Sequence, residues 1–396
     1  MSGCRDVLFT QSRRIRRGTA LTLVFTGVLV AGATTGSFPY PGPPGHPGPA
    51  RKNTAGAPPA TPAHEDVQEA AARAMATGKS PVKAAERAVS RSGDRWAAVY
   101  SHGEYEEFED ALDGRYTGVG LWARRERDGR IEVTRVQAGS PAGRAGIRHG
   151  DRLVSVDGAK VAGRPVTEVV SLLRGDAEDA RAGTTVTLGL QRGTRAWSST
   201  LRRARLSTDS VTVRKLPGGV TVIRVAAFTK DTGDDVRTAV RQAPASSGII
   251  LDLRGNSGGL VTEAVTSASA FLDGGLIATY DVNGAQRALH ADPGGDTTSP
   301  LVALVDGGTM SAAEMLTGAL QDRGRAVVVG SRTFGKGSVQ MPTRLPDGSV
   351  AELTVGHYRT PSGHAVDKRG ITPDLEAGKR SLERAETVLS GLGDPP

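Results

Sequence analysis

The 396-residue sequence contains one cysteine, seven histidines and only 4% aromatic residues. Its lone thiol, Cys4, can form no intramolecular disulfide, so stability must come from packed apolar cores, for which the chain has ample residues. The histidines form no i, i+4 pair and no group with cysteine, so no metal site is expected. Neither a P-loop nor a dinucleotide-binding glycine fingerprint occurs, and no cofactor is expected. A formal charge of +8 arises from arginines spread along the chain without interleaved aromatics, so nucleic acid is not an expected partner.

Long apolar runs are also scarce. Residues 19–33 form an apolar stretch preceded by Arg13, Arg14, Arg16 and Arg17. As a helix it would span about 22 Å, short of the ~30 Å bilayer core. Residues 1–36 therefore read as a signal peptide cleaved near Ala31-Gly32-Ala33, or as an anchor extended through Phe38 that holds the protein near the membrane. In either case the bulk of the chain is expected outside the cytoplasm. Residues 37–62, rich in proline and glycine, read as a linker. Residues 63–113 read as a helical region, with helical patterns at 65–76 and 81–89, where Pro81 suits a first turn.

Residues 114–206 have the pattern of a small separate domain. Strands are expected at 118–124, 131–136, 152–156 and 184–191, with a helix at 166–173. Among them lie the strings Ser140-Pro141-Ala142, Ala145-Gly146-Ile147 and Gly150-Asp151. The remaining residues, 207–396, alternate buried-strand patterns at 219–227, 248–253, 301–305 and 326–329 with helical ones at 234–242, at 260–271 and from about 310, an α/β arrangement.

In that last part Ser311 lies at a strand-to-helix junction, and Glu314 follows three residues later. This spacing fits a capping box, in which both side chains satisfy backbone N–H groups. It fits equally a nucleophile whose neighbouring N–H, that of Ala312, receives a developing oxyanion. Lys336 stands between Gly335 and Gly337, with Phe334 and Val339 as apolar cover. To act as a base at neutral pH its pKa must fall by about three units, at a cost of about 4 kcal/mol. A rival nucleophile is Ser257 in Gly255-Asn256-Ser257-Gly258-Gly259, which fits G-x-S-x-G and would need a base such as His290, His357 or His364. Asn256 reads as a brace for that turn.

The stretches SAAEMLTGALQDRGRAVVVGSRTFGKGSVQ, LDLRGNSGGL and YRTPSGHAVDKRGITPDLEA together resemble the C-terminal processing peptidases, or tail-specific proteases, over residues 94–377. This resemblance implies a crotonase-like α/β core with an inserted PDZ domain and an N-terminal helical region that packs on the core or on a partner subunit. It implies Ser311 as nucleophile, Lys336 as general base, Gln340 as the residue orienting the lysine, and an oxyanion hole made by Ala312 with Gly258 or Gly259. The strings of residues 114–206 resemble a PDZ domain, whose Gly118-Val119-Gly120-Leu121 would bind a C-terminal carboxylate. Expected partners are protein or peptide substrates with free C-termini, an adaptor protein, and further copies of the chain. A peptide-binding PDZ scaffold, with Ser311 serving only as a cap, remains the non-enzymatic alternative.

Overall fold

A computed structural model describes residues 62–126, 128–164, 166–175, 181–244, 248–282 and 285–393. The expected targeting segment lies outside the described residues, as does the linker except for Pro62. Two compact units emerge. Thr117–Leu206 forms one, and the described residues before it together with those from Ser207 onward form the other.

The larger unit is built on a six-stranded sheet. Its order is Val211–Lys215, Thr221–Val225, Ile249–Asp252, Leu301–Val305, Val327–Gly330, Leu375–Glu376, parallel except for the first pair. Alternation along each strand sends its residues to opposite faces. Ile249 and Leu251 join Val305 and Val328 in a core with Val236, Ala264, Leu316 and Leu320, from the helices Thr232–Gln242, Val261–Ser269 and Ala312–Asp322. Ile250, Val302 and Val329 instead meet Ala385 and Leu389 of the helix Ser381–Gly393. With both faces covered, every residue of Leu301–Val305 is buried, which explains its uninterrupted apolar run.

A second, antiparallel sheet in the same unit centres on Val350–Arg359. This strand pairs with Ser338–Arg344, Ala98–Tyr100 and Leu276–Val282, and the last of these pairs in turn with Ala285–His290. The helices Pro62–Ala76 and Pro81–Ser92 bury Val67, Ala71, Ala85 and Val89 against Ala351 and Leu353 of the central strand. Ser80 caps the second helix, and Pro81 occupies its first turn, where a missing N–H costs nothing.

In the smaller unit the strands Leu121–Arg125, Ile131–Val136, Arg152–Val156, Thr185–Arg192 and Arg195–Arg202 form an antiparallel sheet in that order. The helix Val166–Arg174 packs beside the first of them, and Ile131, Val133, Leu153, Leu188 and Leu190 fill the core. The buried Asp151 accepts from Arg192 Nε at 2.6 Å and from Arg148 N–H at 2.8 Å. Burial alone would raise its carboxyl pKa, but these donors hold it below the usual value. The first strand begins at Leu121, not at Gly118 as the sequence pattern suggests, because Gly120 takes φ +79° and breaks the extended run.

Candidate active site

Two loops of the larger unit are laced together beneath the site. Asp306 Oδ1 accepts from Gly308 N–H and Gly255 N–H, both at 2.9 Å, and Thr309 Oγ1 donates to the Leu253 carbonyl at 2.9 Å. Asn256, fully buried, donates from Nδ2 to the Val225 carbonyl and receives Gly258 N–H at 2.8 Å, while its own carbonyl takes Met310 N–H at 2.8 Å. The sequence reading of Asn256 as a brace fits these contacts. Held from below in this way, Ser311 adopts φ 55° and ψ −119°. Such a conformation costs a non-glycine residue about 1–3 kcal/mol and persists only where its surroundings over-determine it.

Ser311 is therefore not a simple helix cap. Ser311 and Glu314 do form a capping box, Glu314 accepting the Ser311 N–H at 2.9 Å, but the serine holds backbone angles outside the extended region that a cap residue ordinarily takes. The same carboxylate accepts Lys336 N–H at 2.8 Å and Gly335 N–H at 2.7 Å, and also receives the Thr333 hydroxyl. On the other side the Tyr358 hydroxyl lies 2.9 Å from the Ser311 carbonyl and 3.1 Å from that of Lys336, positioned to donate to both. Two residues twenty-five positions apart are thus clamped by N–H groups on one carboxylate and by carbonyls on one phenol. Burial pushes the Glu314 carboxyl up, against the pull of its four donors, and burial also holds the Tyr358 phenol well above its ordinary value.

Lys336 is fully buried, with Nζ donating to Gln340 Oε1 at 2.9 Å and lying 4.9 Å from the centroid of the Trp96 ring. Gln340 Nε2 donates to the Trp96 carbonyl, which fixes which end of the amide faces the amine. Desolvation lowers the lysine pKa to about 7, with Glu352, Asp94 and Glu314 opposing it. At neutral pH a large share of such amines carries a free lone pair. The segment carrying Trp96 is itself pinned. Asp94 accepts from Trp96 N–H and Ala97 N–H at 3.0 and 3.2 Å, and from the N–H and hydroxyl of Thr354 at 2.9 and 3.0 Å. Asp94→Ala is expected to lower stability by about 2 kcal/mol in urea unfolding and to speed amide exchange at Trp96 and Ala97, since four donors lose their acceptor.

Of the expected backbone donors, Gly258 N–H is engaged by Asn256 Oδ1. Among the described residues Gly259 N–H and Ala312 N–H have no hydrogen-bond partner. Gly259 sits at φ +134°, and an added Cβ would lie 2.2 Å from the Phe228 carbonyl oxygen, so only glycine fits there. An apolar cleft opens beside Ser311 and Ala312, walled by Val261, Leu289, Met315 and Val339 with Tyr280 and Tyr358. Ser257 is only half-buried, and among the described residues no histidine bonds to it. His364 is bonded to the Gly370 carbonyl, and His357 lies 4.0 Å from Asp367.

In the smaller unit the carbonyls of Val119 and Gly120 turn inward, accepting from Ala142 and Gln137 N–H groups at 2.9 Å each. Among the described residues the N–H groups of Val119 and Gly120 have no partner. A Cβ on Gly120 would meet Ser140 Cβ at 2.2 Å.

A parallel α/β core that clamps a strained serine to a buried lysine, joined to a small antiparallel unit with a helix beside its first strand, has the architecture of a PDZ-bearing serine peptidase. Residues 219–377 match peptidase family S41 and residues 132–192 match the PDZ domain. The chain belongs to peptidase family S41. It is 35% identical over 308 residues to carboxyl-terminal-processing peptidase 3, chloroplastic, of Arabidopsis thaliana, covering 73% of this chain and 58% of that protein. To the carboxy-terminal processing protease CtpA of Bacillus subtilis it is 32% identical over 289 residues, covering 72% and 61%. The solved structure of a photosystem II D1 C-terminal processing protease aligns with a TM-score of 0.50 at 30% identity, covering 78% of this chain and 86% of that one. The chain thus spans about three fifths of the length of these two relatives.

Proposed function

We propose that the protein is an exported serine endopeptidase that recognises protein C-termini through its PDZ domain and cleaves peptide bonds through an acyl-enzyme. The observation that carries this reading is Lys336, a fully buried amine with a pKa near 7, hydrogen-bonded to Gln340 and clamped through its backbone to a strained serine. In its neutral form Lys336 takes the proton from Ser311 Oγ, which attacks the substrate carbonyl. The ammonium then gives that proton to the leaving amine, and water hydrolyses the ester. Gln340 holds Nζ in place throughout. Ala312 N–H and Gly259 N–H receive the oxyanion, the engagement of Gly258 favouring its neighbour. The apolar cleft beside Ser311 accepts an apolar side chain next to the cut bond.

The core, residues 207–396, is read as crotonase-like, with residues 63–113 as the N-terminal helical region and 114–206 as the PDZ domain. In the PDZ domain the Gly118-Val119-Gly120-Leu121 backbone meets the carboxylate of a substrate or adaptor, a role the unpartnered N–H groups of Val119 and Gly120 support. Residues 1–36 carry the chain out of the cytoplasm and either are removed or stay as an anchor, and 37–62 act as a linker; further copies of the chain are proposed as partners.

The test is cleavage of an unfolded reporter with an apolar C-terminus by the full chain, beside Ser311→Ala, Lys336→Ala and Ser257→Ala. Loss in the first two with survival of the third is expected. Loss with Ser257→Ala alone would move the nucleophile, and binding of C-terminal peptides without any cleavage would leave a scaffold.

A further inference from the structure

The strand Val350–Arg359 carries a second buried acid near the lysine. Glu352 is fully buried, and neither of its carboxylate oxygens has a hydrogen-bond partner among the described residues. Burying such a group unpaired is costly, so its place in the fold needs a compensating charge. Its neighbours in the sheet supply none. Glu352 lies opposite Ala98 on one side and Pro342 on the other, an apolar side chain and a residue without an N–H.

Side-chain alternation shows where the carboxyl points. Ala351 and Leu353 face the helices Pro62–Ala76 and Pro81–Ser92, so Glu352 and Thr354 face the other way. Thr354 is paired with Gln340, which places Gln340 and Glu352 on one face as diagonal neighbours. Gln340 is the residue that holds Lys336 Nζ. The titratable and charged groups around this face are Lys336, Asp94 and Glu314 on the lysine side, Tyr105 and Glu109 from the helix His102–Leu112, and the exposed Arg344. Lys336 is the cation that offsets the burial of Glu352, and no direct ion pair joins the two among the described residues.

We propose that Glu352 is a positioning residue for the lysine base, a carboxylate that faces Lys336 across Gln340 and stabilises its ammonium form during proton transfer. The proton lost by Ser311 Oγ stays on Lys336 Nζ until the leaving amine takes it; Glu352 gains no proton in the step and supplies only the opposing charge. The two groups titrate in one range, burial pushing Glu352 up to about 7 and Lys336 down to about 7. Without the carboxylate the amine would be a weaker base. This inference rests on the assignment of Lys336 as base, and its test separates the two.

In the full-length protein, labelled at lysine carbon, the NMR titration of Lys336 is assigned by loss of its signal in Lys336→Ala and then followed in Glu352→Gln and Glu352→Met. Both variants are expected to lower the Lys336 pKa by about one unit or more. The acid limb of the kcat/KM profile is expected to move to lower pH by the same amount, with a plateau reduced about three- to tenfold. An acid that only fills space would alter stability, most of all in the methionine variant, and leave both titrations in place. An unmoved Lys336 titration in both variants overturns the proposal. If the parent cleaves nothing, the NMR titration still decides the role of Glu352, and the peptidase reading falls alone.

Discussion

Lys336→Met, made and compared in a Glu352→Gln background so that no buried acid is stripped of its cation, is expected to lower kcat/KM at least about a thousandfold while making the protein more stable, because a buried amine that serves as a base does so at the expense of the fold. Its pKa falls from 10.5 to about 7 on folding, so the unfolded chain binds more protons at Lys336 between those two values. Stability contributed by this site is therefore lowest below pH 7, rises through the window from about 7 to 10.5, and is fully recovered above it. Methionine, of similar length and without a charge, removes the penalty, which amounts to at most about 5 kcal/mol at about 1.36 kcal/mol per pKa unit. Thermal unfolding of parent and variant at several pH values should converge toward pH 10.5 and diverge toward pH 7. Activity of the parent should climb through pH 7 as the neutral amine is populated. Lys336→Arg makes a sharper comparison, since a guanidinium stays protonated throughout and cannot act as base at any of these pH values. A methionine variant that kept its activity, or lost stability at pH 7, would contradict the role of the lysine.

Ser311 and Lys336, the proposed reacting pair, were singled out in the sequence together with Gln340 and Asn256, whereas most of the side chains packed around them were not. Local patterning marked Ser311 at a strand-to-helix junction and Lys336 in a glycine-flanked loop, and the family resemblance added Gln340. Glu314 looked like half of a capping box, and the motif is present. What it cannot reveal is that the same carboxylate also takes Gly335 and Lys336 N–H groups, contacts set by where the loop returns. Glu352 and Tyr358 are further cases, placed by strand pairing, and Trp96 is another, in a turn that Asp94 ties to Thr354. Gly258 N–H is taken by Asn256 Oδ1 while that of its neighbour Gly259 is not, a difference that depends on backbone angles and not on residue type. Most parallel strands of the core were visible as apolar runs because both faces are buried. The strand Arg195–Arg202 buries only Leu201, and Ala285–His290 has no buried residue, so neither leaves a pattern to read.

Glu314 should be the residue whose loss most damages the fold of the site. Its carboxylate is fully buried and receives three backbone N–H groups and one hydroxyl. Glu314→Ala removes the acceptor and leaves those donors in a place water does not reach, where each costs about 1–3 kcal/mol. Some relaxation of the loop will recover part of this, so an overall loss of about 4 kcal/mol is expected. Glu314→Gln is the more informative change. Its amide keeps the shape but offers one oxygen to donors that occupy two, and its NH2 group meets N–H groups head-on. A loss of about 2 kcal/mol is expected, with faster amide exchange at Ser311 and Lys336 and little change at Ile250 in the core behind them. Proteolysis should fall further than stability does. The strained Ser311 backbone is held by the Glu314 carboxylate and the Tyr358 hydroxyl, and with one gone it can relax toward ordinary helix-capping angles that carry the serine hydroxyl out of its present position. Tyr358→Phe removes the other support and should produce a smaller version of the same result. Parent-like stability and cleavage in Glu314→Gln would mean that the clamp is dispensable and that the turn alone holds the serine.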